Sequence, residues 1–405
     1  MSVLSDRRVL LAVSGGIAAY KAADLTSTLV QAGVRLDVLL TQGAEQFVRP
    51  LTFEALTRRP VHTNLWEPWT AEAAGHVTLA AEAEAIIVAP ATANVIARLA
   101  LGLSDDLLGA VNLSTTAPFI VAPAMEHHMF HHPATQGHIA TLRDRGVLFV
   151  GPGQGRLASG AIGDGRLAPN ESIVGALRLV LGRTADGSLA GRHLVVTAGG
   201  TQEPIDPVRS IANRSSGRMG YALAQAALDR GARVTLIAAP GGQTRPFGAV
   251  IVPVTTAAEM WGAVDAAADD AAVLVMAAAV ADFRPARVAG GKIKKRSLPA
   301  IANIALEPTT DILATINHSG LVKVGFAAET DDLITHATEK LRAKNLDLIV
   351  ANDAVETIGS SSSSATLIGR NGNPEPLPSM SKDLLAELIM ERIEHILAAR
   401  ANGQP

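Results

Sequence analysis

Residues 9–21 read Val-Leu-Leu-Ala-Val-Ser-Gly-Gly-Ile-Ala-Ala-Tyr-Lys, and this stretch decides the fold. The apolar run predicts a buried strand over Val9–Val13, and the pattern that follows predicts a helix over Ile17–Ala32. Gly15 and Gly16 let the backbone approach an anion, and the helix presents its free N–H groups there. The spacing is neither GxGxxG nor the Walker pattern. Phosphate binding and a simple tight turn therefore both stay open.

Short apolar runs alternate with helical stretches along the rest of the chain. The other predicted strands of the first half are Val34–Leu40, Ala85–Ala89, Phe119–Ala122 and Val147–Val150. A second series comprises His193–Ala198, Arg233–Ala238, Ala272–Met276, Lys323–Ala327 and Asp347–Ala351. Such alternation predicts parallel sheets covered by helices, with binding sites at the carboxyl ends of the strands.

The two series are separated by a small, polar segment, Gly182–Arg192, which is a linker candidate. We therefore predict an α/β protein of two domains, residues 1–186 and residues 187–405. A helix over Ser381–Ala399 ends the second series, and the serine run Ser360–Ser364 within it predicts a mobile loop.

Composition excludes several classes of protein. The 405 residues suffice for two or three domains, and the net charge of −3 argues against a nucleic-acid binder. No apolar run approaches the ~18 residues that span a bilayer. The absence of cysteine excludes disulfides, thiolate metal sites and a cysteine nucleophile. The first residues carry no signal-peptide pattern, so we expect a cytoplasmic protein.

A second loop supports the anion site. The segment Val88–Asn94 follows a predicted buried strand, and Gly102–Leu108 follows the next helix; both carry hydroxyls and amides suited to phosphate and ring contacts. His76 lies upstream, and on sequence alone it is either structural or catalytic.

Several of these motifs resemble the flavin-dependent cysteine decarboxylases. The matching stretches are Ser14–Lys21, Gly75-His76, Ala89–Asn94 and Pro123-Ala-Met125. The resemblance implies a flavodoxin-like flavoprotein domain that holds FMN, with His76 as catalytic base or orienter. A cysteine carboxylate has no electron sink of its own, which explains the need for a flavin. The implied FMN-binding residues are Ser14, Gly15, Gly16, Thr41, Ala89, Thr92, Asn94 and Ser104.

Two positions depart from that family. Glu126 stands where the family has asparagine, and Ser159 stands where its substrate-covering flap has the cysteine that donates a proton. A serine hydroxyl is a far weaker acid than a thiol, whose pKa is about 8.5. Either water, Ser159 or Glu126 supplies the proton, or the decarboxylase is impaired. Four nearby histidines, at 127, 128, 131 and 132, form two i,i+4 pairs that can hold zinc if helical. A solvated helix start is the simpler interpretation, since no counterpart in the family requires a metal.

The second half carries six ordered motifs: Thr197–Thr201, Asn213–Gly220, Ala277–Pro285, Lys292–Lys295, Gly325–Thr330 and Lys344–Asp347. Their glycines, hydroxyls and cations suit a phosphate site, and on chemistry alone a dinucleotide site is equally open. Together they resemble the phosphopantothenate–cysteine ligases, which implies a Rossmann-like domain that activates a carboxylate with CTP. The implied CTP-binding residues are Ala277, Ala278, Ala279, Asp282, Lys292, Thr310, Asp311, Ile312, Leu313, Phe326, Lys340 and Lys344.

The resemblance also implies roles and partners. Asn213 would hold the acyl-cytidylate, with Arg209 a weaker candidate, and Lys292 and Mg²⁺ would stabilise charge at the phosphate. We expect a bifunctional enzyme that makes 4′-phosphopantetheine from 4′-phosphopantothenate, cysteine and CTP, with no nucleic acid or membrane partner. Trimers of the first half and dimers of the second would combine as a dodecamer. The alternatives are a protein in which only the ligase is active and a dinucleotide-dependent reductase, which lacks its GxGxxG motif.

Overall fold

A computed structural model describes residues 3–66, 75–184, 187–294, 303–329, 332–353, 360 and 362–402. Contacts between residues divide the chain into two compact units, Met1–Thr184 and Ala185–Pro405. Within the described residues, helices are too short or too polar to cross a membrane.

The first unit is built on a parallel sheet of six strands in the order β3-β2-β1-β4-β5-β6. These strands are β1 (Arg8–Val13), β2 (Arg35–Leu40), β3 (Val61–His62), β4 (Ala85–Ala91), β5 (Phe119–Pro123) and β6 (Leu148–Phe149). Residues of β1, β4 and β5 are almost wholly buried, as expected of strands covered on both faces. Without the two-residue β3, the order is that of flavodoxin-like sheets, which confirms the prediction.

Helices of the first unit cover this sheet. They are α1 (Lys21–Gln31), α2 (Pro50–Thr57), α3 (Gly75–Glu82), α4 (Ala93–Leu101), α5 (Leu107–Ser114), α6 (His127–His131), α7 (Pro133–Asp144) and α8 (Asn170–Thr184). Apolar side chains of α3, α4, α5 and α7 share one core cluster with β1 and β4, while α1 packs against α8. The single helix predicted over Ile17–Ala32 was wrong in detail, because a 3₁₀ turn, Ile17–Tyr20, precedes α1.

An antiparallel hairpin, which we call the flap, follows the sheet; its strands are β7 (Gly153–Arg156) and β8 (Ile162–Arg166). The backbone N–H of Met125 donates to the carbonyl oxygen of Gly165 at 3.0 Å, which ties the flap to the loop after β5.

The second unit has its own sheet, in the order β13-β12-β9-β14-β17-β18-β19-β20. Its strands are β9 (His193–Ala198), β12 (Arg233–Ala238), β13 (Val250–Pro253), β14 (Val273–Met276), β17 (Val322–Glu329), β18 (Leu348–Asp353), β19 (Ser362–Gly369) and β20 (Pro374–Ser381). The first six strands in this order, β13 to β18, pair in parallel. The pairings of β18 with β19 and of β19 with β20 are antiparallel. Numbered along the chain, the parallel strands have the Rossmann order 3-2-1-4-5-6, which confirms the prediction of a Rossmann-like domain.

Smaller elements and helices complete this unit. Two short antiparallel pairs are β10 (Gln202–Pro204) with β11 (Ser210–Ala212) and β15 (Phe283–Pro285) with β16 (Leu306–Pro308). The helices are α9 (Arg218–Leu228), α10 (Ala257–Ala268), α11 (Ile312–Thr315), α12 (Leu333–Ala343) and α13 (Lys382–Ala401).

The predicted loop over Ser360–Ser364 was wrong for its described last residues. Ser362, Ser363 and Ser364 begin β19, where Ser362 and Ser363 pair with β20 and Ser363 is buried. Sheet pairing overrides the weak strand propensity of serine.

Candidate active sites

Three loops of the first unit meet at the carboxyl end of its sheet. Strand order reverses between the neighbours β1 and β4, which is the point where open α/β sheets bind ligands. The Ser14 hydroxyl donates to the Pro90 carbonyl oxygen at 2.7 Å and accepts from the Thr92 N–H at 3.0 Å. The Thr41 N–H donates to the Val13 carbonyl oxygen at 3.0 Å. The fully buried Ser14 therefore positions the loops rather than presenting its hydroxyl to solvent.

The paired glycines of this site have different surroundings. A Cβ on Gly15 would lie 2.4 Å from the Gly43 carbonyl carbon, so this glycine is required by the contact between two loops. A Cβ on Gly16 would meet only the Thr92 methyl group, at an ordinary 3.6 Å. Thr92 caps α4 by accepting from the Val95 N–H. Gly16 and the start of α4 thus form an open backbone cradle of the kind that fits a phosphate.

The other predicted FMN residues lie around this cradle at different depths. Ala89 is fully buried within β4, so it offers only backbone atoms. Asn94 is exposed in the first turn of α4, and Ser104 is exposed beyond the far end of that helix, about 13 Å along its axis. His76 is half-buried in the first turn of α3.

Glu126 acts as the N-cap of α6. Its carboxylate accepts from the backbone N–H groups of His128 and Met129, and it lies 3.0 Å from His128 Nδ1. The hydrogen bond with His128 and those two N–H groups hold the pKa of Glu126 below its ordinary value. A carboxylate that is ionised at neutral pH does not fit the role of proton donor. Ser159 is exposed in the turn of the flap.

The second unit contains a cavity of about 530 Å³ at the carboxyl ends of β9 and β14. Every predicted CTP residue except Lys292 lines it: Ala277, Ala278, Ala279, Asp282, Thr310, Asp311, Ile312, Leu313, Phe326, Lys340 and Lys344. Asn213 lines it as well, and its side-chain Nδ2 donates to the Val280 carbonyl oxygen at 3.0 Å.

Threonine hydroxyls join the loops that form the cavity wall. The Ala278 N–H donates to Thr197 Oγ1 at 3.1 Å, and the Ala281 N–H donates to Thr201 Oγ1 at 2.8 Å. Thr309 Oγ1 donates to the Ala281 carbonyl oxygen at 2.6 Å. These bonds connect the segment after β14 with the loop after β9 on one side and the loop before α11 on the other.

Two lysines reach the cavity from the C-terminal end of α12, Lys340 within the helix and Lys344 as its C-cap. Lys344 Nζ forms an ion pair with Asp311 Oδ2 at 2.7 Å, and Lys340 Nζ donates to the Phe326 carbonyl oxygen at 2.9 Å. Burial raises the pKa of Asp311, but the hydrogen bonds from Lys344 and the Ala314 N–H outweigh burial, so its pKa lies below the ordinary value. The Asp311 carboxylate is therefore ionised at neutral pH.

The structure does not place Lys292 in this cavity. Lys292 is exposed on a segment whose Ile293 N–H donates to Asp206 and whose Ile293 carbonyl oxygen accepts from Arg209. Burial raises the pKa of Asp206. Hydrogen bonds from the N–H groups of Ile293, Val208 and Arg209 and from the Arg209 guanidinium outweigh burial, and they hold the pKa of Asp206 well below its ordinary value. Arg209 thus anchors a loop. Lys295 and Thr330, which end two of the quoted motifs, lie outside the described residues.

Sequence analysis missed one cation of the cavity. Lys382, at the start of α13, lines it together with Arg218. Burial and the charge of Arg218 lower the pKa of Lys382. Because these residues are far apart in sequence, only the tertiary fold brings them together.

The comparisons with known proteins agree with the division into two halves. The sequence matches the family described as "Flavoprotein" over residues 2–181 and the family described as "DNA/pantothenate metabolism flavoprotein C-terminal domain" over residues 189–397. It is 45% identical over 396 residues to the coenzyme A biosynthesis bifunctional protein of Bacillus subtilis (strain 168), covering 96% of this chain and 97% of the relative. The protein of that name from Mycobacterium tuberculosis (strain ATCC 25618 / H37Rv) is 44% identical over 409 residues, covering 97% of each chain.

A crystal structure of the C-terminal domain of such a protein is 37% identical, with a TM-score of 0.46, and covers 52% of this chain and 98% of that chain. The two family matches lie one after the other along the sequence. The matches to the two relatives cover almost its whole length. The chain belongs to the family of coenzyme A biosynthesis bifunctional proteins, in which a flavoprotein half precedes a DNA/pantothenate metabolism half.

Proposed function

We propose that the chain catalyses two successive steps of coenzyme A biosynthesis. Residues 187–405 ligate cysteine to 4′-phosphopantothenate at the expense of CTP, and residues 1–186 decarboxylate the product to 4′-phosphopantetheine with FMN. The observation that carries this proposal is one cavity that collects the predicted CTP residues of four separate segments of the sequence. The ligase-only alternative is not favoured, because the relatives and both family matches cover the two halves.

The cavity has the charges that activation of a carboxylate requires. Negative charge increases at the phosphate under attack, and positioned cations stabilise it. Lys340 and Lys344 are four residues apart and so lie on one side of α12. Their partners, the Phe326 carbonyl oxygen and the Asp311 carboxylate, hold the two ammonium groups in place before the nucleotide binds. We assign both lysines to the phosphates of CTP.

The same cavity supports a role for Mg²⁺. Asp282 and Asp311 both line it, and carboxylate oxygens are ligands that Mg²⁺ prefers. Asp311 is paired with Lys344, so Asp282 is the better candidate. Asn213 holds the acyl-cytidylate at the wall formed by Val280. For Lys292 we retain the role at the reacting phosphate, which requires its exposed segment to reach the nucleotide.

The loops of the first unit support FMN binding. The backbone around Gly16 and the N-terminus of α4 receive the phosphate, and Thr41, Ala89, Thr92 and Asn94 surround it. FMN supplies the redox chemistry that gives the cysteinyl carboxylate an electron sink. His76 acts as base or orienter at the substrate, and the flap that bears Ser159 covers it. We further propose a homo-oligomer, a dodecamer of trimers and dimers.

Two assays test the steps separately. The purified protein with 4′-phosphopantothenate, cysteine, CTP and Mg²⁺ should release pyrophosphate, and equal activity with ATP would contradict the choice of nucleotide. The protein given phosphopantothenoylcysteine alone should release CO₂ without CTP. Asn213→Ala should lose the first activity and keep the second. A yellow protein that releases pyrophosphate but no CO₂ would establish the ligase-only alternative instead.

A further inference from the structure

One side of α6 carries two histidines outside the loops assigned to FMN. His127 and His131 are one turn apart, and their ring centroids are 4.4 Å from each other. The second predicted pair fails, because His132 lies beyond the helix and caps α7. The His128 side chain is 88% exposed and contacts Glu126 instead. Only His127 and His131 therefore share a helix face.

The flap brings a carboxylate to these histidines. Asp164 Oδ2 on β8 lies 3.0 Å from His131 Nε2. The neighbouring residue must be glycine, because a Cβ on Gly163 would lie 2.6 Å from His127 Nδ1. One nitrogen or oxygen atom from each of His127, His131 and Asp164 lies within 4.8 Å of the others. Three side chains with ligand atoms thus converge from two different elements.

His127 provides an independent indication of a ligand. Its Nδ1 atom is buried and has no hydrogen-bond partner among the described residues. Buried polar atoms are almost always paired in folded proteins. An imidazole nitrogen that is buried, unpaired and adjacent to a second imidazole and a carboxylate has the surroundings of a metal ligand.

We propose that His127, His131 and Asp164 bind a Zn²⁺ ion that fastens the flap to α6. Two imidazoles and one carboxylate are a three-ligand set typical of zinc, with a fourth position left for water. Zn–N bonds of about 2.0–2.1 Å place tetrahedral ligand atoms ~3.4 Å apart, so small side-chain rotations complete the site. Mg²⁺ and Ca²⁺ prefer oxygen ligands and do not suit it.

The Zn²⁺ ion would add a connection between the flap and α6. Without it, the described ties between the flap and this region are the backbone bond from Met125 to Gly165 and the His131–Asp164 pair. With the ion bound, lifting β8 away from α6 requires breaking a coordination bond.

Binding is measured on tag-free full-length protein by competition for Zn²⁺ with a chromogenic chelator. We expect one Zn²⁺ per chain, with affinity at least about tenfold weaker in His131→Ala and in Asp164→Asn. His128→Ala, the matched control on the same helix, should bind as the wild type does. Equal affinity in all four proteins, or loss confined to His128→Ala, would overturn the site.

A second measurement tests whether Zn²⁺ fastens the flap to α6. It requires neither the ligase activity nor the decarboxylase activity. Amide hydrogen exchange over residues 153–166 should slow when Zn²⁺ is added to the wild type and stay unchanged in Asp164→Asn. His128→Ala should respond like the wild type. Zn²⁺ that binds to His127 and His131 without slowing exchange in the flap would refute the fastening. Because neither measurement uses substrate, failure of this proposal is distinct from failure of the proposed function.

Discussion

Gly15 and Gly16 are consecutive residues of the same chemical type, and the structure gives them different roles. Gly15 lies against the backbone of Gly43, whereas Gly16 faces the start of α4 across open space. From sequence, a bulky residue at Gly15 is the natural test of phosphate binding. That variant would push two loops apart first, so it cannot separate folding from binding.

Alanine at each glycine gives a matched pair of variants. Gly16→Ala should keep the thermal unfolding temperature of the wild type and weaken FMN binding, because its methyl group fills the cradle without touching protein backbone. Gly15→Ala should lower the unfolding temperature. Fluorescence titration of FMN into the apoprotein and a thermal melt measure the two effects. Wild-type FMN affinity in Gly16→Ala would show that the phosphate binds elsewhere.

The proton that completes decarboxylation has two candidate sources in this chain, Ser159 and Glu126. A lowered folded-state pKa keeps Glu126 ionised above the ordinary carboxyl value of about 4.3, and its capping contribution is lost only as pH falls through the lower folded value. Glu126→Gln should therefore leave the CO₂ release rate and its pH profile between pH 5 and 8 unchanged, since glutamine still accepts hydrogen bonds at the N-cap.

Ser159→Cys is the complementary variant. A thiol is the better acid, so product release should accelerate, within the 10²–10⁴-fold range typical of general acid catalysis. Rapid-mixing measurements of flavin reoxidation would detect the change. If Glu126→Gln abolished turnover while Ser159→Cys had no effect, Glu126 would be the donor after all.

At the scale of elements, α12 and the N-cap of α11 act as one unit. Asp311 accepts from the Ala314 N–H and pairs with Lys344, so one carboxylate both caps the start of α11 and orients the C-cap lysine of α12. The ion pair connects the two sides of the cavity at the point where the phosphates of CTP are expected.

Lys344→Met should lower kcat/KM for CTP by about 10²–10³-fold, because it removes a cation from the reacting phosphates. Arg342→Met, which removes an exposed cation from the same helix, is the control and should have no comparable effect. Steady-state pyrophosphate release at varied CTP measures both. Equal losses in the two variants would indicate a general electrostatic effect rather than contact with the nucleotide.

How far sequence predicts this structure also depends on the element. Buried parallel strands such as β1 and β9 are continuous apolar runs, so their positions and the loops after them were predictable. The resemblance implied a flap around Ser159, but its hairpin was not predictable from the local pattern, because Gly153–Arg156 and Ile162–Arg166 lack apolar alternation and pair through backbone bonds, with Gly155 and Gly165 at positive φ. The displacement of Lys292 from the cavity was also unpredictable, because it depends on contacts between Ile293 and distant residues.

At the scale of the whole molecule, each unit has its own sheet and its own buried core. The end of the first unit is α8, whose Ile173 and Leu177 are fully buried. Near the start of the second unit, Leu189 is also fully buried, and its N–H donates to the Arg230 carbonyl oxygen at 3.1 Å. A polypeptide that contains only one of the two units should therefore begin or end between Leu177 and Leu189.

A polypeptide of residues 187–405 should fold and keep ligase activity, because it retains every described residue of its cavity. Circular dichroism and pyrophosphate release measure the two properties. A polypeptide that begins at residue 199 lacks β9 and should do neither. If residues 187–405 fold but release no pyrophosphate, the ligase site requires the first unit.

The exposed turn of the flap is a position at which a label can be attached to the protein. The chain contains no cysteine, and Ser159 lies at the surface, away from the paired strands β7 and β8. Ser159→Cys therefore gives each chain a single thiol, at the tip of the flap. A fluorophore or spin label attached there would report opening and closing of the flap optically or magnetically, one signal per chain, without removal of any native residue elsewhere.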